Sequence, residues 1–91
     1  MNENERIELY KRELSEWGIN PQVMMVIEET GEMLNAIAKY DRGRATEKDV
    51  VTELADVWIL MEQMAVLFGW DDFQAEKERK LERIKENLNK E

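Results

Sequence analysis

One proline and four glycines are all that interrupt 91 residues, and their positions cut the chain into helical lengths with few places for a strand. The spacing predicts an all-α fold. A first helix over residues 3–17 carries Ile7, Leu9, Tyr10, Leu14 and Trp17 near the 3.6-residue period and ends at Gly18. Asn20 is the expected cap of a second helix whose first residue is Pro21, where a missing amide costs nothing. That helix reaches about Tyr40 and is followed by the polar connection 41–45. Thr46 and Asp49 have the spacing of a capping box for a third helix, which stops at Gly69. Asp71 or Asp72 is the expected cap of a fourth, with Phe73, Leu81, Ile84 and Leu88 as sparse apolar positions and fraying last turns. A connection of about five residues between the second and third helices implies an antiparallel hairpin. The expected architecture is a helical bundle built on that hairpin and completed by homo-oligomerisation, with residues 1–91 forming one domain.

So short a chain, folded alone, buries only about 60 to 65% of the surface that its unfolded form exposes, which is why a second copy is expected. Without cysteine there is no disulfide, thiolate nucleophile or zinc–thiolate site, and without histidine there is no imidazole base. Chemistry must therefore rest on carboxylates, lysines, tyrosines or a metal held by oxygen. The net charge of -8, from 21 acids and 13 bases, argues against nucleic acid and anionic lipid as partners and suits hard cations. The longest apolar runs, among them 23–27 and 57–61, are five residues each against the roughly 20 that a membrane span needs. The first residues lack the basic and then apolar regions of a secretory signal, so a cytoplasmic protein is expected.

Two acidic doublets stand out, Glu29-x-x-Glu32 in the second helix and Glu53-x-x-Asp56 in the third. A three-residue step puts both acids of a doublet on one helix face, where like charges repel. On a helical wheel, Glu29 falls at the edge of a stripe formed by Val23, Val26, Ile27, Met33, Leu34 and Ile37. Glu53 falls between Leu60 and Met64 with Val57 on its flank, and Asp56 lies at the margin beside Gln63 and Leu67. Buried carboxylates require protonation, a cationic partner or a metal. The doublets lie about 10 residues before and about 8 residues after the ends of their helices at the loop, so they face each other at one level. Four such carboxylates suit Mg²⁺, with Mn²⁺ as the alternative, and leave coordination positions for water and substrate phosphates.

In Glu28-Glu29-Thr30-Gly31-Glu32-Met33-Leu34 and Glu53-Leu54-Ala55-Asp56-Val57 the chain resembles the MazG-like nucleoside triphosphate pyrophosphohydrolases of the all-α NTP pyrophosphatase superfamily. The resemblance spans about residues 21–83. It implies that Glu29, Glu32, Glu53 and Asp56 are metal ligands and the catalytic carboxylates. The implied reaction cleaves a (d)NTP to a (d)NMP and pyrophosphate by metal-activated water, in a homodimer or homotetramer whose pocket is completed at the subunit interface. Glu28 lies off the convergent face. The resemblance also implies that Lys77, Lys80 and Arg83 bind substrate phosphates, although Glu76, Glu78, Glu82 and Glu86 equally allow a helix covered with internal ion pairs.

Trp17, Trp58 and Trp70 are read as packing residues before base-stacking ones, and Met24, Met25, Met33, Met61 and Met64 as adaptable filler. Gly31, costing about 1 kcal/mol in mid-helix, implies a close helix approach or a bend. Two alternative functions remain. A phosphoribosyl-ATP pyrophosphohydrolase shares the acidic elements, but typically has a Lys before its paired Glu and a His after its Asp; here residues 24–27 are apolar and histidine is absent. The other is a non-catalytic acidic helical interaction module.

Overall fold

A computed structural model describes residues 1–90. It contains four helices, α1 (Glu3–Trp17), α2 (Ile19–Asp41), α3 (Glu47–Phe68) and α4 (Trp70–Leu88), and no strand among the described residues. None of these helices is long and apolar enough to cross a membrane.

The helix ends follow from their chemistry. Asn2 caps α1 by accepting the Glu5 amide at 2.8 Å. At α3 the capping box is complete: the Thr46 hydroxyl accepts the Asp49 amide at 3.1 Å, and the Asp49 carboxylate accepts the Thr46 amide at 2.8 Å. Two expected caps are corrected. Gly18, at φ 94°, ends α1 and starts α2 by itself, so Asn20 and Pro21 lie inside the first turn and Asn20 caps nothing. Gly69, at φ 145°, does the same between α3 and α4, leaving Asp71 and Asp72 in the first turn as charges at the positive end of the helix dipole. A glycine in this left-handed region reverses the chain in one residue, so neither junction needs a polar side chain.

Helices α2 and α3 share the most extensive helix-to-helix contact, α1 lies across both, and α4 packs against α3, with the Trp70 indole at its start donating to Glu3 of α1 at 3.1 Å. The interior is unusually polar. Tyr10, Leu60 and Ala65 are buried, but so are Gln22, Glu62 and Gln63. On α2 the stripe is only half realised: Val23, Val26 and Met33 are half-buried, whereas Ile27, Leu34 and Ile37 are exposed. The Cα radius of gyration is 15.9 Å, against about 12 Å for a compact domain of this length. Four helices therefore leave much of their apolar surface uncovered, Phe68 and Leu88 most of all.

Candidate metal centre

Three of the four acids converge. One carboxylate oxygen from each of Glu29, Glu53 and Asp56 lies within 4.8 Å of the others, joining one turn of α2 to two successive turns of α3. Glu29 and Glu53 are half-buried and Asp56 is exposed. Glu29 Oε2 and Glu53 Oε2 are sealed from solvent and have no hydrogen-bond partner. Burial is the main cause that raises both pKa values, and the nearby Glu32 charge is the next. Asp56 adds repulsion to both, and Glu53 adds further repulsion to Glu29.

Such a cluster is stable only with protons or a cation supplied. The oxygens are all acceptors when ionised, and separations of no more than 4.8 Å are compatible with sharing one hard cation, whose coordination sphere is about 4.2 Å across for Mg²⁺ and about 5 Å for Ca²⁺. The donor set and the two unpartnered buried oxygens thus fit a divalent cation. Glu32, one turn beyond Glu29, is exposed and stands outside the trio, near enough for its charge to act on Glu29 and Glu53. Glu28 is exposed, as its angular position implies.

A groove of about 420 Å³ opens beside the cluster. Glu29 and Asp56 form part of its wall together with Glu13 of α1, and Trp17, Met25, Ile59 and Leu60 supply the apolar remainder. Gln22, nine-tenths buried, completes the lining.

No family model, curated protein or solved structure matches the chain.

The α4 cations are not brought to this groove. Lys77, Lys80 and Arg83 are exposed, and none of them lines it. Lys77 stands 5.7 Å over the Phe73 ring, while the neighbouring Arg79 pairs with Glu76 at 2.7 Å along the same helix. Gly31 has open space where a Cβ would project, so the expected close helix approach is absent within the described residues of this chain.

Two buried polar groups escaped the sequence reading. Glu62 accepts the Tyr10 hydroxyl at 2.7 Å and Arg6 through Nε at 2.8 Å and Nη2 at 3.3 Å, fastening α1 to α3. Burial, and then the bond to Glu62, raises the pKa of Tyr10, keeping its hydroxyl a donor. Arg6 also lies 5.5 Å over the ring of Trp58. Gln22 Nε2 donates to Gln63 Oε1 at 3.2 Å, while Gln63 Nε2 is buried without a partner. The available signal was positional: Gln63 falls three residues after the buried Leu60, on the line that faces inward.

Proposed function

We propose that this chain is a metal-dependent nucleoside triphosphate pyrophosphohydrolase of the MazG-like kind, cleaving a (d)NTP to a (d)NMP and pyrophosphate. The observation that carries the reading is the pair of sealed, unpartnered oxygens of Glu29 and Glu53 beside Asp56, in a cluster whose Glu29 and Asp56 also line a groove of about 420 Å³. Glu29, Glu53 and Asp56 would hold Mg²⁺ or Mn²⁺, with Glu32 at the margin. When bound, the cation neutralises phosphate charge and acidifies water for attack on the α phosphorus. The chain's own contribution is to hold these acids at one depth and to accept the proton lost by the attacking water. With no histidine present, that acceptor is one of the carboxylates.

The architecture in this reading is an antiparallel α2–α3 hairpin in a homodimer or homotetramer. Support for the hairpin comes from cross-helix pairs that draw closer in sequence toward the loop: Gln22 with Gln63, Glu29 with Glu53 and Asp56, and Tyr40 with Glu47. Uncovered apolar surface on α2, α3 and α4 supports a second copy. Such a copy would also offer α4, with Lys77, Lys80 and Arg83, to the phosphates that the first copy's own α4 does not reach.

The test is pyrophosphate release from a panel of dNTPs and NTPs with Mg²⁺ or Mn²⁺, alongside sedimentation of the full chain. Pyrophosphate release that Glu53→Gln abolishes is expected. Release of orthophosphate alone would overturn the cleavage position, and a protein inert to both metal and nucleotide would be the interaction module instead.

A further inference from the structure

Gln22 and Gln63 face each other across α2 and α3, both nearly or wholly sealed from water, and share one hydrogen bond. Two carboxamides carry four N–H donors and two carbonyl acceptors. Their single bond therefore leaves most of this capacity unused, and Gln63 Nε2 is left with nothing. A buried N–H without a partner carries the full loss of its hydration, whereas two apolar side chains of similar shape carry none. Packing alone does not account for the pair.

The groove does account for it. Gln22 is the neutral carboxamide in a lining otherwise made of apolar side chains, the carboxylates Glu13, Glu29 and Asp56, and the indole of Trp17. Its Nε2 is turned back to Gln63, which fixes the amide plane and leaves the carbonyl free for a group in the groove. The walls of Trp17, Met25, Ile59 and Leu60 suit a flat, weakly hydrated ring, and Glu29 and Asp56 join the groove to the metal centre. With Glu29 and Asp56 taken up by the metal centre, the Gln22 carbonyl is the neutral acceptor in the lining that can meet an N–H of the ring.

Resting on the pyrophosphohydrolase reading, we infer that the nucleobase lies in this groove, with Gln22 as the residue that selects it and Gln63 as the positioning residue that orients the Gln22 amide. The class selected is a base that presents a ring N–H donor to the Gln22 carbonyl, as uracil, thymine and guanine do, over cytosine and adenine, whose Watson–Crick ring nitrogens are acceptors. Replacing Gln63 by Leu removes the unpartnered donor and frees the Gln22 amide to rotate. It therefore lowers discrimination among bases without removing any group that touches the nucleotide.

The experiment uses the full chain and two readouts. Deoxynucleosides, which carry no phosphate, are titrated without metal while tryptophan fluorescence is followed, with Trp17→Phe as the control that assigns the signal to the groove. Relative kcat/KM is then measured across the four dNTPs and dUTP. Expected are a Trp17-dependent response that ranks the nucleosides and a loss of about five- to tenfold in that ranking for both Gln22→Met and Gln22→Ala. In Gln63→Leu the ranking weakens while KM for the poorer bases stays level, and in all these variants the metal-induced rise in melting temperature is retained. Gln22→Met keeps the volume of the side chain, and circular dichroism with the retained metal response establishes that each variant is folded. An unchanged ranking in folded Gln22→Met, or a parent whose Trp17 signal responds to no nucleoside, overturns the inference, even with pyrophosphate release intact. Conversely, ranked nucleoside binding in a protein that releases no pyrophosphate leaves the base groove standing and removes the reaction.

Discussion

Glu29 and Glu53 each turn one carboxylate oxygen into a space closed to water, from opposite helices, and neither oxygen meets a donor. Their mutual repulsion, joined by that of Asp56 and Glu32, is a cost that the folded chain carries and that protonation or a bound cation would relieve.

Neutralising one of the two tests this directly. In metal-free buffer at neutral pH, Glu53→Gln is expected to melt several degrees above the parent, because the amide brings a donor among the acceptors. Adding millimolar Mg²⁺ or Mn²⁺ should reverse the order, raising the parent and leaving the variant nearly unmoved. A parent indifferent to both ions would remove the metal centre.

The pH dependence of the metal-free protein follows from the same pair. Both pKa values are raised above the ordinary 4.5, so between that value and the raised ones the folded state binds protons that the unfolded state has released. Stability therefore falls as pH rises through this window and levels off above it. Asp49, lowered chiefly by the Thr46 backbone amide, acts in the opposite sense and at lower pH. Chemical denaturation in EDTA between pH 4 and pH 8 would read the slope, which Glu53→Gln should flatten.

Tyr10→Phe removes a buried hydroxyl that donates to Glu62. The expected loss is about 1.5–3 kcal/mol, the range for hydrogen bonds to charged partners. In a chain of this size each kcal/mol lowers the melting temperature by about 4–8 °C. A urea melt that matches the parent would show that Arg6 alone suffices to hold Glu62.

Gly31→Ala is expected to stabilise the chain by about 0.5–1 kcal/mol, since Gly31 lies inside α2 and a Cβ there meets no atom within 4 Å. The guanidinium denaturation midpoint measures it. A fall, accompanied by a smaller species in sedimentation, would place Gly31 against another copy.

Helix lengths were legible in the sequence because glycine chemistry is local. Gly18 and Gly69 end helices wherever they stand, and the Thr46–Asp49 box announces α3 within four residues. The expected caps at Asn20, Asp71 and Asp72 went astray because a polar side chain near a helix start resembles a cap whether or not the preceding glycine has already turned the chain. Helical angle alone brought Glu29, Glu53 and Asp56 to one side. Glu32 stands outside although the same three-residue step keeps Asp56 with Glu53, so spacing within a doublet does not decide which of its acids converge. Glu62 and Gln63 were illegible for a different reason: periodicity assigns polar residues to solvent, and only partners 41 to 56 residues away in sequence make their burial tolerable.

The short link between α2 and α3 has a kinetic consequence. Closing so small a loop costs little chain entropy, whereas the α1 tether through Glu62 spans 52 residues at Tyr10. The helix pair bearing the acids should thus be the folding nucleus, formed before α1 arrives. Divalent cations would then act on the rate of folding as well as on the rate of unfolding, because charge must be brought together at the barrier itself.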